Sequence, residues 1–473
     1  MVFSSAIFIL YFLPVFLLVY HLVGAKYKNW VILLFSIVFY AWGAPTFIFY
    51  LLGATTANFY IVRAMDKSNE KLHRKLWLAL SISINLGLLI YFKYANFFVD
   101  NINAVLSVFH FNTFTLAKIL LPIGISFYTF QSITYTLDVY RKVHKPLDKL
   151  HNFVLYIIMF PQMIAGPIVR FITIADEIQN RKEKIEEKLE GLIRFVIGLS
   201  KKVLIADVLA YQVDKIMLMD YATMDSTTAW IGILGFTFQI YFDFSGYSDM
   251  AIGLGKMMGF HFPENFNNPY IARSVTEFWR RWHITFSTFM RNYLYYPLGG
   301  SRVKTKRRLY FNLWFVFLVS GLWHGSSWNF VIYGAFHGFI MVIERVFLLN
   351  ILERIPKVFS ILFTFFVIVL ARVFFRVETL PDAMVYFERL FAFDFTSVSF
   401  AAKPHFYTIM IFSAILSFIT ATRFGLKIEA VIYKTNLSIK QYYVYTAIAF
   451  LFLVYSIASV AGSGFSPFIY FRF

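Results

Sequence analysis

The chain of 473 residues contains no cysteine. That excludes disulfides, thiolate metal ligands and a cysteine nucleophile, while leaving the redox compartment open. Charge is scarce as well: Asp, Glu, Lys and Arg together make up 15% of the chain, well under the usual share for a soluble domain. Acidic residues are the scarcer part, 26 against 44 Lys and Arg, which leaves a net charge of +18. In a soluble protein such an excess points to nucleic acid. Here the basic residues sit in short loops between apolar runs, as the positive-inside rule expects, so no nucleic-acid partner is inferred. No set of His, Asp and Glu has metal-ligand spacing, such as two His at i and i+4 beside a Glu, so no metal is expected. Gly253, Gly255 and Gly259 follow an apolar helical run rather than a strand. They make no dinucleotide fingerprint, and close helix packing is their simpler account.

What remains is apolar and aromatic: 59% of residues are hydrophobic, with 59 Phe and 30 Tyr. Apolar runs recur from end to end, which implies an all-α, polytopic membrane protein. The runs cover residues 6–23, 30–42, 47–62, 76–91, 119–139, 203–217, 230–244, 309–322, 330–347, 358–375, 407–420 and 444–460. With broken segments included, about 11 to 13 crossings or half-crossings are expected. The first run lacks a basic leader and reads as a retained span. Lys and Arg gather at 26–28, 63–75 and 141–149, always after a returning run, which places those loops in the cytoplasm. The interrupted aromatic stretch 94–111 is expected at the outer interface. Residues 153–168 contain Pro161 and Gly166-Pro167 and are expected to form a broken, cavity-lining segment. Residues 176–190 carry both charge signs at helical spacing and read as one surface helix, and 381–393 as an interfacial helix. No soluble domain or internal repeat is evident, so residues 1–473 read as a single domain.

Chemistry is concentrated in two segments. His324 lies 16 residues beyond Arg308, in Leu322-Trp323-His324-Gly325. A helix would carry it roughly 24 Å from that charge, deep in a bilayer core about 30 Å thick. An ionisable group at that depth is a functional candidate by default, and imidazole suits general base work near neutral pH. The competing account is a histidine hydrogen-bonded between helices. The second segment is Glu277-Phe278-Trp279-Arg280-Arg281-Trp282-His283. Arg280 and Arg281 offer planar forks for phosphate, and Trp279 and Trp282 offer stacking faces for a purine. The competing account is an interfacial Trp/Arg belt. Asp243 and Asp249, at the end of a span, are candidates for holding arginines of the following segment. His337 follows His324 by 13 residues, about 20 Å along a straight helix, too far for a direct pair.

These segments resemble the membrane-bound O-acyltransferase family, and within it the bacterial branch that O-acetylates polysaccharides such as alginate. The resemblance runs from Met1-Val2-Phe3-Ser4-Ser5 through Tyr241–Gly255. It is strongest in Asn265–Arg302 and Gly321–Gly338, and ends in Pro467–Phe473. It implies a ring of helices around a thinned centre, with His324 at the position of the catalytic histidine and His283 at a second polar site position. It also implies acetyl-CoA as acyl donor, bound from the cytoplasm near Arg280, Arg281, Trp279 and Trp282. Further implications are a polysaccharide acceptor, an extracytoplasmic esterase-like partner protein, membrane lipids as surroundings and the bacterial inner membrane as location. Phe289, Asn292 and Ser320 stand where the alginate branch commonly has Trp, Asp and Gly, which leaves the acceptor polymer open. Two alternatives stay beside this reading: a carrier-protein thioester as donor, as in teichoic acid D-alanylation, and a non-enzymatic transporter or export channel.

Overall fold

In hydrocarbon every backbone N–H and C=O must be satisfied within its own segment, so apolar runs of this length become helices. The computed structural model describes residues 1–395, 400–435, 437–463 and 467–469, and every regular element among them is helical. Six helices are long and apolar enough to cross a membrane: Phe47–Lys67, Lys71–Val108, Trp328–Arg354, Lys357–Arg376, Pro404–Ala421 and Ile439–Gly462. Most other apolar runs form shorter or broken helices, while the run 230–244 lies within a continuous helix, Ser226–Met257. The chain divides into two compact units, Met1–Leu192 with Ala251–Pro263, and Ile193–Met250 with Glu264–Phe473.

The first unit is built from α1 (Leu13–Leu22), α2 (Lys28–Gly43), α3 (Phe47–Lys67), α4 (Lys71–Val108), α5 (Ile125–Tyr140), α6 (Leu150–Ile158), α7 (Phe160–Met163), α8 (Phe171–Asn180) and the start of α9 (Ile185–Ser200). Almost every residue of α5 is buried, although it carries Ser, Thr, Gln and Asp. Hydroxyls and amides take the place of apolar packing there. Ser81 Oγ donates to Asn58 Oδ1 (2.5 Å) and meets Thr136 Oγ1 (2.9 Å), joining α3, α4 and α5. The expected break at 153–168 is present: α6 stops at Ile158, α7 lasts one turn, and the chain is irregular up to Arg170. Its backbone is satisfied from neighbours, with Ser36 Oγ accepting from Phe160 N (3.1 Å) and Tyr156 Oη donating to Val169 O (3.0 Å).

Two expectations need correction in this unit. The stretch 94–111 is not interrupted: α4 runs unbroken to Val108. Between Gly87 and His110 there is neither Gly nor Pro, so nothing stops the helix until His110 turns left-handed (φ 57°). At 38 residues it reaches about 57 Å, well beyond the hydrocarbon. The surface helix 176–190 is in turn two helices, α8 and α9, parted at residues 181–184. The charges there serve tertiary pairs rather than one helix face. Glu183 is bonded by Lys28 (2.7 Å), Lys188 (2.8 Å) and the Tyr20 hydroxyl (2.7 Å), while Arg181 reaches Asn29 Oδ1 (2.5 Å).

The second unit contains the remainder of α9, α10 (Asp207–Met217), most of α11 (Ser226–Met257), α12 (Val275–Arg281), α13 (Ile284–Met290), α14 (Lys306–His324), α15 (Trp328–Ile343), α16 (Leu349–Arg354), α17 (Lys357–Arg376), α18 (Leu380–Leu390), α19 (Pro404–Phe418), α20 (Arg423–Ile432) and α21 (Ile439–Ser463). A π-helical segment, Lys201–Ala206, links α9 to α10. At Gly198 an added Cβ would lie 2.4 Å from Gly246 O, so here the small residues do bring helices together. That approach sets the charges around it: Asp249 pairs with Arg194 (2.5 Å) and Lys201 (2.7 Å), and Asp243 with Lys202 (2.9 Å). The cations therefore come from the preceding helix, not from the arginines of the following segment, and Asp243 also accepts Ile469 N (2.8 Å).

The Glu183 knot has a pH signature. Burial pushes its carboxyl up, but bonds from Lys188, Lys28 and Tyr20 outweigh that and hold it at about 2, against 4.5 unperturbed. A depressed folded pKa stabilises above the unfolded value and loses its effect as pH falls through the folded one. Glu183→Gln should therefore melt lower than wild type, by a margin that is full above pH 4.5 and shrinks as pH falls toward 2. Melting curves of the detergent-purified pair check this, and a margin independent of pH would contradict it.

Candidate active site

The segment carrying His283 begins with α12, whose start is held by side-chain caps. Ser274 Oγ accepts Glu277 N (3.0 Å), and Glu277 Oε2 accepts Arg273 N (2.8 Å), a variant of the capping box. The carboxylate of Glu344, buried at the end of α15, accepts Val275 N (2.5 Å), Thr276 N (2.9 Å) and Thr276 Oγ1 (2.7 Å). An anion at a helix N-terminus is favoured by the unpaired N–H groups and the dipole. After α12 the chain extends at Trp282 and turns left-handed at His283 (φ 44°) before α13 begins. A non-glycine residue in that region costs energy and persists only where its surroundings fix it.

Asn265 does the fixing. Its backbone O accepts Ile284 N (2.9 Å), while its side-chain Oδ1 accepts Thr285 N (3.2 Å) and Thr285 Oγ1 (2.9 Å) and meets His283 Nδ1 (3.1 Å). The backbone N–H of Thr285 can only donate, which identifies that amide atom as the oxygen. His283 Nδ1 is then the donor, and the neutral ring presents Nε2 as a bare acceptor. Nε2 is buried and has no hydrogen-bond partner among the described residues.

His324 is the last residue of α14 and 4% exposed. Its depth follows from the α14–α15 hairpin. A Cβ on Gly321 would lie 2.2 Å from Phe330 O and 2.7 Å from Gly334 Cα, so the two helices touch backbone to backbone. Aromatic rings then surround the imidazole: Trp323 at 5.0 Å, Phe375 at 5.3 Å, Phe286 at 5.6 Å and Tyr333 at 5.7 Å between centroids. Phe286 also stacks on His283 (5.0 Å). The two histidines read from the sequence thus flank one phenylalanine. His337 joins through Tyr333, 4.6 Å away, because the chain folds back at residues 325–327. The straight-helix distance of about 20 Å therefore does not apply, although Tyr333 still separates the two rings.

The donor residues are divided. Arg281 bonds Glu277 Oε1 (2.8 Å) and Asn267 O (3.1 Å), and Arg280 is exposed. Trp279 is buried and donates to His337 Nδ1 (3.4 Å). Trp282 is buried between Phe278, stacked at 5.5 Å, and the guanidinium of Arg372 at 4.4 Å. Neither indole has a free face for a nucleobase. The sequence reading missed Asn265, Glu344, Tyr333 and Arg372. Of these, only Arg372 carried a signal, as a charge inside the apolar helix α17. Among the described residues no three His, Asp or Glu gather as metal ligands.

The model of the membrane-bound O-acyltransferase family matches residues 142–374, which include Asn265, His283, His324, His337 and Arg372. A Pseudomonas aeruginosa protein named probable alginate O-acetylase AlgI is 43% identical over 428 residues, covering 90% of this chain and 82% of that protein. The chain belongs to the membrane-bound O-acyltransferase family. This O-acyltransferase is also 40% identical to a Pseudomonas putida protein of the same name, with full coverage of both chains. A Helicobacter pylori peptidoglycan O-acetyltransferase is 36% identical, over 81% of this chain and 78% of that protein. The chain is therefore a multi-pass membrane acyltransferase.

Asn265→Ala would remove a shared acceptor from three buried donors, including His283 Nδ1, at a cost of about 1–3 kcal/mol for each donor left unsatisfied. It should also lower acyl-transfer turnover, by more than Thr285→Val, which removes one of the bonds and leaves the imidazole held. Parallel melting and turnover measurements on the two variants check this, and full turnover in Asn265→Ala would contradict the assigned tautomer.

Proposed function

We propose that this acyltransferase takes acetyl groups from acetyl-CoA at the cytoplasmic face of the bacterial inner membrane and passes them toward hydroxyls of an extracytoplasmic polysaccharide. The observation that carries the reading is the pair His283 and His324, buried on either side of Phe286. Relatives named as acetylases of alginate and peptidoglycan supply the acyl group and the acceptor class.

His324 is the general base: an imidazole nitrogen takes the proton of the attacking hydroxyl and returns it to the leaving thiolate. His283 has the orienting role. With Nδ1 committed to Asn265, its Nε2 offers a lone pair rather than a proton, so it positions a hydroxyl or amide by accepting from it. Stabilising charge on the tetrahedral intermediate, the other role considered for it, requires a proton that this tautomer lacks. Of the four donor residues, Arg280 is the one open to the phosphates of the cosubstrate, since Arg281, Trp279 and Trp282 are engaged within the protein. A secreted esterase-like partner completes transfer to the polymer.

The test is turnover of acetyl-CoA, labelled in its acetyl group, by the purified protein. His324→Ala should lose about 10²–10⁴-fold in turnover, as for removal of a general base, while expression and membrane insertion stay near normal. More than a few per cent of wild-type turnover in that variant would contradict the role of His324. Absence of turnover in the wild type would shift the donor to a carrier-bound thioester.

A further inference from the structure

Arg372 is 1% exposed in α17, an otherwise strongly apolar helix. A buried guanidinium normally has a carboxylate, because an uncompensated charge in a low-dielectric interior is heavily penalised. Arg372 has none among its recorded partners. Its Nη1 meets the Tyr333 hydroxyl at 3.4 Å, and its plane lies 4.4 Å from the Trp282 ring. The Tyr270 ring stacks on Trp282, and its hydroxyl, which donates to Thr237 O (2.5 Å), also accepts from the Arg372 guanidinium. Nε and Nη2 have no hydrogen-bond partner among the described residues. Aromatic faces and the hydroxyls of Tyr333 and Tyr270 therefore hold this cation, with no carboxylate among its recorded partners.

Its place is specific. Tyr333, which Arg372 contacts, lies 5.7 Å from the His324 ring. Phe375 is 5.3 Å from His324 and 5.6 Å from the guanidinium. The base and the unpaired cation thus share two neighbours. We propose that Arg372 is a catalytic residue that neutralises the oxyanion formed on the acyl carbonyl during transfer, an inference that rests on the acyl-transfer reading of His324. The acceptor oxygen bonds to the carbonyl carbon, the C=O π pair moves to oxygen, and the hydroxyl proton passes to His324. The tetrahedral intermediate then collapses: the carbonyl re-forms, the C–S bond breaks, and the thiolate recovers the proton from the imidazolium. Arg372 gives up no proton; it supplies fixed positive charge and N–H donors where negative charge appears. That is the contribution His283 cannot make with Nδ1 bound to Asn265.

The experiment compares wild type, Arg372→Lys and Arg372→Met as purified proteins. Each is assayed for acetyl-CoA hydrolysis, in which water passes through the same intermediate, and for transfer to an alginate oligosaccharide. The proposal predicts that Arg372→Met loses about 10²–10³-fold in kcat in both reactions, with little change in the KM for acetyl-CoA. Lysine should restore part of the loss, since it keeps the charge but not the fork. Melting curves should remain close to wild type. Unchanged kcat in a folded Arg372→Met protein would overturn the proposal. So would lost transfer with intact hydrolysis, which would make Arg372 a reader of the acceptor's carboxylates. Loss of folding in both variants would also overturn it, assigning Arg372 to holding Trp282. A wild type inactive in both assays would instead overturn the acetyl-CoA reading on which the proposal rests.

Discussion

The approach of Gly321 to Gly334 is the constraint on which the site depends. Two helices without side chains at their crossing can press backbone against backbone, and the three residues that follow Gly321 are then carried into the protein. His324 ends its helix among rings contributed by α13, α15 and α17 because of that contact. Any side chain at the crossing must separate the helices, since the atoms in the way are backbone rather than a flexible tip. In hydrocarbon, where no hydrophobic force drives helices together, such close packing is a main source of association.

The second histidine is held by different means. His283 lies outside regular helix, in a left-handed turn that polar groups must enforce: Asn265 on the turn itself and Glu344 at the start of α12. Rigid helices thus position one imidazole and hydrogen bonds the other, and Phe286 touches both. Buried polar contacts of this kind leave few options for the protonation of the ring, which is why Asn265 determines what His283 can contribute.

Much of this was legible in the sequence, and the gaps have physical causes. Apolar runs gave the spans, and Pro161 with Gly166 gave the broken segment, because backbone chemistry alone decides those features. Aromatic side chains through residues 94–108 suggest an interface, yet they do not stop a helix, and neither Gly nor Pro intervenes before His110 turns left-handed. The rare residues around His283 and His324 marked the site, but partners distant in sequence did not show. Asn265 and Glu344 read as ordinary loop and helix residues until the fold brings them to the backbone they cap. Arg281 is the converse case: it suggested a phosphate ligand by type, and its neighbours Glu277 and Asn267 occupy it.

If the glycine crossing places His324, the proposed general base, a side chain at the crossing must disturb it. The most direct test replaces Gly334 with Ala and uses Gly87→Ala, on α4, as the control. A Cβ at position 334 would stand 2.4 Å from Phe317 O, whereas position 87 has open space. Gly334→Ala should insert into the membrane but lose most acyl-transfer turnover, while Gly87→Ala should match wild type. Wild-type turnover in Gly334→Ala would contradict that placement.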